Sequence, residues 1–95
     1  MALLSEHEID ARLTGLEGWR RGEQDGTIVA ERELADFAAA IAHVDRVAEL
    51  AEAANHHPDI LVHGWNKLRL TLSTHSEGGL TAADFELARQ LEALD

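Results

Sequence analysis

Four histidines, His56, His57, His63 and His75, fall within twenty positions of a 95-residue chain that contains six. Imidazole is the side chain whose ordinary pKa lies closest to neutrality, so clustered histidines suit proton transfer near pH 7. His56 and His57 are followed by Pro58, and Glu52 precedes His56 by four residues. On a continuous helix that spacing puts Glu52 and His56 on one face, where the carboxylate can orient the ring. Three histidines could also hold zinc. Zinc motifs on helices, however, space their ligands by three or four, and adjacent histidines chelate poorly. There is no cysteine, so thiolate sites, disulfides and a cysteine nucleophile are excluded. No glycine-rich phosphate loop or serine elbow is present.

Each of these residues also has a plain reading. A histidine at a helix C-terminus can be simply a favourable charge near the dipole. One at a strand end is commonly a surface residue, and Glu52 could be a solvated helix position. His7 and His43 are expected at the surface or an edge, and His63, before Gly64, to be structural. Trp65 is either a buried anchor, the commoner role, or an aromatic wall for a flat ligand. Trp19 is expected in the core or at an edge.

The elements that must position the cluster are legible from local signals. Ser5 and Glu8 form a capping box for a short helix with apolar Ile9, Leu13 and Leu16, ended by Gly15 or Gly18. Residues 19–23 and 27–33 read as strands, and Asp25-Gly26 between them signals a tight hairpin turn. A long helix is expected from Asp36 to about Asn55, with Phe37, Ile41, Val44, Val47 or Ala48, and Ala51 as its apolar stripe. Pro58 is expected to end it, because the residue before a proline is pushed out of helical geometry. A short strand at 60–63 precedes a clear one at 66–74, where Leu68, Leu70 and Leu72 alternate with polar residues. Gly78-Gly79 marks a loop. Thr81 and Asp84 then form a second capping box, opening a helix whose apolar side is Phe85, Leu87, Ala88, Leu91 and Leu94. The order α-β-β-α-β-β-α implies an α+β fold, an antiparallel sheet with helices on one face.

Composition bounds the partners. The net charge is −10 with His neutral, and eight basic residues are scattered among eighteen acidic ones. Direct contact with nucleic acid needs clustered Lys and Arg, so it is not expected. The same charge disfavours anionic membranes and strongly anionic substrates. A neutral, polar small molecule or a protein partner fits better. No apolar run approaches the ~20 residues of a membrane helix, and the first residues lack a basic region followed by an apolar core. The expectation is a cytoplasmic protein of one domain over 1–95. Its core is modest, which makes association with its own copies a natural source of stability.

The spacing of several of these residues together resembles the pterin-4a-carbinolamine dehydratases. The pattern is Glu52, three residues, His56-His57-Pro58, six residues, Trp65, nine residues, His75, eight residues, Asp84. The surrounding runs Arg46 to Asn55, Leu70 to His75 and Gly78 to Thr81, and the pair Gly18-Trp19, are also similar. The resemblance spans residues 10–94. It implies a four-stranded antiparallel sheet with three helices on one face, and a homodimer or homotetramer. It also implies dehydration of a 4a-hydroxytetrahydropterin to quinonoid dihydropterin and water, without metal or cofactor, in support of tetrahydropterin recycling. On that resemblance His56 and His75 would be the main acid–base pair, and His57 would bind and polarise the pterin. Glu52 would orient the histidines. Asn55, Pro58, Trp65, Ser73, Thr74, Ser76 and Asp84 would lie against the substrate. A non-catalytic dimerisation or regulatory module of the same fold is the alternative it carries.

Overall fold

The computed structural model describes residues 2–94, so of the 1–95 span only the two terminal residues lie outside it. Helix α1 covers Glu6–Thr14. It starts where the Ser5 hydroxyl accepts from the Glu8 N–H at 3.1 Å and the Glu8 carboxylate accepts from the Ser5 N–H at 3.0 Å. Gly15 caps its other end. Strands β1 (Trp19–Arg21) and β2 (Ile28–Glu33) follow, then helix α2 (Phe37–Ala54), strands β3 (Asp59–His63) and β4 (Lys67–Leu72), a single 3-10 turn (His75–Glu77) and helix α3 (Ala82–Glu92). The four strands form one antiparallel sheet in the order β1-β2-β4-β3.

The alternation in β4 places its leucines as expected. Leu68, Leu70 and Leu72 are buried, and across the ladder Leu70 meets Ala30 and Ile60 while Leu72 meets Ile28. With Trp19 they pack under Val47 of α2 and under Phe85, Leu87, Ala88 and Leu91 of α3, so the core lies between the sheet and the helices. The other sheet face mixes charged residues with Val29 and Leu61, and on it Glu31 bridges Arg20 at 2.7 Å and Arg69 at 3.2 Å.

Several expectations are corrected. The strands β1 and β2 pair as an antiparallel hairpin, but β1 stops at Arg21 and β2 starts at Ile28, so the connection is a six-residue loop, 22–27, wider than the tight turn expected around Asp25-Gly26. Gly26 does take a left-handed conformation, φ 77°, but a wider loop holds it, closed by the Gly22 N–H donating to the Thr27 carbonyl at 3.0 Å. In α2 the buried face is Ala40, His43, Val47 and Ala51. The larger Phe37 and Ile41 are 55% and 40% exposed. Small alanines let the helix sit close to its neighbours, so residue size misjudges which stripe faces inward. His43 is therefore buried, at 1% exposure, and not a surface residue. Trp65 is 62% exposed and not a buried anchor: it sits at φ 61° beside Gly64 (φ 55°) in the tight β3–β4 turn. The sequence 66–74 does not continue as strand to its end. Beyond Leu72 only an isolated bridge, Thr74 to Gly79, remains, and His75 opens the 3-10 turn.

The end of α2 matters most for the site. Pro58 does not stop the helix. Asn55 does, three residues earlier, at φ 51° and ψ 42°. Its N–H donates to the Glu52 carbonyl at 3.2 Å, and the His56 N–H reaches back to the Ala51 carbonyl at 3.1 Å. This is the left-handed C-terminal cap that asparagine tolerates best after glycine. Asn55→Gly is expected to leave stability unchanged or slightly raised, whereas Asn55→Val, β-branched at positive φ, should cost about 1–2 kcal/mol. Urea denaturation of the two variants reads the difference.

Candidate active site

The reversal at Asn55 decides which way the two adjacent histidines face. Because the helix has already ended, the four-residue step from Glu52 to His56 no longer puts them on one face. His56 turns inward, and its Nε2 lies 2.6 Å from Asp84 Oδ1. His57 turns back along the helix, and its Nε2 lies 2.5 Å from Glu52 Oε2. The expected Glu52–His56 pairing is thus replaced by two separate imidazole–carboxylate pairs. The environments of the pairs differ sharply. The Asp84 side chain is fully buried and that of His56 is 16% exposed, whereas His57 and Glu52 are 55% and 76% exposed.

Asp84 is held from its other side by the start of α3. Its Oδ2 accepts the Thr81 N–H at 2.9 Å, as the third residue of the capping box, and the Thr74 hydroxyl at 2.7 Å. The Thr74 and Thr81 hydroxyls are themselves 2.8 Å apart, and Thr81 Oγ1 accepts the Ala83 N–H at 3.3 Å. A buried carboxylate with donors on both oxygens meets the requirement that buried charge be hydrogen-bonded. Thr74 immediately precedes His75, so one carboxylate ties the segment carrying His56 and His57 to the segment carrying His75. The His75 ring is exposed and makes no hydrogen bond or ion pair among the described residues.

The remaining residues singled out from sequence are distributed as follows. Ser73, Thr74 and Pro58 are half-buried, while Asn55, Ser76 and Trp65 are exposed. The Thr74 hydroxyl points to Asp84 and Thr81, and the fully buried Asp84 carboxylate is bonded to two partly exposed side chains, His56 and Thr74. His56 also lines a surface depression with Ala54, Ala82, Ala83 and Leu87 and the polar side chains of Arg12, Glu86 and Gln90. Among the described residues no three ligand-type side chains are grouped as a metal ion would require. No helix among them is long and apolar enough to cross a membrane. His7 is exposed and His63 half-buried. The participant that spacing reasoning did not single out is Thr81, and its signal is the capping box itself. A carboxylate at the third position of a helix cap is fixed in space, which makes it a ready second partner for a ring from elsewhere.

Fold and site together define a small α+β protein carrying imidazole–carboxylate pairs where a helix end, a strand end and a helix start converge. The chain matches the family model described as pterin 4 alpha carbinolamine dehydratase over residues 2–94, and it belongs to that family. It is 50% identical over 93 residues to a protein of Roseiflexus castenholzii that bears the name "Putative pterin-4-alpha-carbinolamine dehydratase", covering 98% of this chain and 97% of that one. A protein of Nocardia farcinica with the same name is 49% identical, covering 97% and 94%. Among solved structures, a transcriptional coactivator/pterin dehydratase from Brucella melitensis superposes with a TM-score of 0.90 at 33% identity, covering 97% of both chains.

Proposed function

We propose that this protein is a 4a-hydroxytetrahydropterin dehydratase that works by histidine acid–base catalysis. The observation that carries the proposal is the His56–Asp84 pair: an imidazole with one nitrogen held by a fully buried carboxylate, next to a second imidazole and joined through Thr74 to the segment of a third. The reaction breaks the C4a–O bond. One group protonates the departing hydroxyl, which leaves as water, and another takes the proton from N5 as the C4a–N5 double bond forms. The electron count of the protein does not change, and each step is a proton movement that imidazole can perform.

In this reading His56 and His75 exchange those protons. His57, held by Glu52, binds and polarises the pterin, and the exposed face of Trp65 can stack on its flat ring. Asn55, Pro58, Ser73 and Ser76 supply the nearby surface, and Thr74 and Asp84 support it from beneath. The substrate is neutral at the reacting centre, which suits a chain of net charge −10. We place the reaction in the cytoplasm, in tetrahydropterin recycling, and in a homodimer or homotetramer. Exposed Phe37, Ile41, Ile60 and Leu61 supply apolar surface for such association.

The test is to add the protein to chemically generated 4a-hydroxytetrahydropterin and follow formation of the quinonoid product. Acceleration above the spontaneous rate is expected, and a rate equal to the spontaneous one overturns the proposal. Glu52→Gln should reduce the rate by about fivefold or less, because an exposed ion pair is worth at most ~1 kcal/mol; KM against kcat in steady-state assays reads it. A non-catalytic dimerisation or regulatory module is the second reading, favoured by the coactivator name of the Brucella melitensis protein and by the exposed face of α2. A stoichiometric partner retained by His56→Ala, with no turnover by the unaltered chain, would establish it instead.

A further inference from the structure

With Asp84 as the carboxylate, the hydrogen bonds around it take one direction, because each hydroxyl has one proton to donate. The Thr74 hydroxyl donates to Asp84 Oδ2. Its oxygen is then the acceptor in the 2.8 Å contact with Thr81, whose hydroxyl must donate. Thr81 Oγ1 in turn accepts the Ala83 N–H. Every bond in this chain runs one way, from the first turn of α3 through Thr81 and Thr74 to the carboxylate. The Thr81 N–H adds a second donor on the same Oδ2. Oδ2 is therefore fully engaged, and Oδ1 is left to accept from His56 Nε2 at 2.6 Å. A carboxylate can only accept, so Nε2 carries hydrogen.

From this geometry we infer that Thr74 and Thr81 are positioning residues for His56. They fix the carboxylate that holds the ring as its Nε2–H tautomer, leaving Nδ1 as the nitrogen that takes and returns the substrate proton. The inference rests on the dehydratase reading for its catalytic consequence, but not for the tautomer. Thr81 is fully buried and Thr74 half-buried, the Thr74 hydroxyl on the carboxylate and the Thr81 hydroxyl on that of Thr74, so their part is played through Asp84 and not on the substrate. The same carboxylate caps α3, which makes the first turn of that helix a mechanical support of the His56 ring.

Imidazole nitrogen NMR on the 15N-labelled full chain tests this directly. In the neutral form, His56 of the unaltered protein is expected to show a protonated Nε2 and a bare Nδ1. A protonated Nδ1, or the tautomer mixture of a free imidazole, overturns the inference whether or not the protein turns over pterin. Thr74→Val should shift the His56 signals toward the mixture and lower kcat two- to tenfold, the kinetic equivalent of one net hydrogen bond, with KM nearly unchanged. Thr74→Ser, which keeps the hydroxyl, should restore both. Unchanged His56 signals in Thr74→Val, or no recovery in Thr74→Ser, would also overturn it. Should Thr74→Val fail to fold, Thr74→Ala removes the same hydroxyl and is read in the same way, with His56 signals unchanged from the unaltered protein overturning the inference. Dehydration by the unaltered protein at the spontaneous rate would instead remove the catalytic role of His56 while leaving the tautomer result standing.

Discussion

His75→Ala is expected to lower kcat for dehydration by roughly 10²–10⁴-fold, the usual contribution of a positioned general acid or base, while leaving the fold untouched. The second half of that expectation follows from the surroundings of the residue. The ring is exposed and makes no hydrogen bond or ion pair among the described residues. Its removal therefore orphans nothing and opens no cavity, and surface substitutions of that kind stay within about 0.5 kcal/mol. Rapid-mixing kinetics with 4a-hydroxytetrahydropterin, together with a thermal melt of the same sample, separate the two effects. His56→Ala is a less clean probe. It should be as damaging to the rate, but it also strips Asp84 Oδ1 of its partner in a buried setting. Loss of activity with an unchanged melt for His75→Ala would mark it as a catalytic group. Retained activity would move the acid–base work to His56 and His57 alone.

Asp84→Ala is expected to be the most destabilising polar substitution in the chain, at about 3–5 kcal/mol. Three donors lose their acceptor together: the Thr81 N–H, the Thr74 hydroxyl and His56 Nε2. Helix α3 also loses half of its capping box, which alone is worth about 1 kcal/mol. In a domain of this size each kcal/mol moves Tm by about 4–8 °C, so a fall well beyond 10 °C is expected. Differential scanning calorimetry checks it, and a fall below about 4 °C would mean that water replaces the carboxylate with little loss. Activity should disappear in parallel, because the His56 ring loses its anchor. The contrast with His75→Ala is informative. One substitution removes chemistry without stability, and the other removes both through a residue that does not itself meet solvent.

Much of this was legible in the sequence, and the legible parts share a cause. The Ser5/Glu8 and Thr81/Asp84 capping boxes, the alternation of Leu68, Leu70 and Leu72, and the order of helices and strands all depend on residues within about four positions of one another. Local sterics and hydrogen bonding settle such features before any tertiary contact forms. The clustering of the histidines and their spacing to Trp65, His75 and Asp84 likewise stand in the sequence, and they suffice to point to proton transfer and to the family.

The partners of those histidines were not legible. His56 and Asp84 are 28 residues apart, and no local rule joins them; they meet because α3 packs against the C-terminal end of α2. Glu52 belongs to His57 and not His56 because the helix ends at Asn55, near its expected bound, in a left-handed cap that takes His56 out of the helical repeat. His43 is buried and Phe37 exposed because close packing rewards the small face of α2, which hydrophobicity ranks below the large one. The sequence by itself thus determined which side chains could carry protons and which elements would bear them. Only the tertiary structure decided which carboxylate holds which ring, because that depends on where separate elements come to rest against one core.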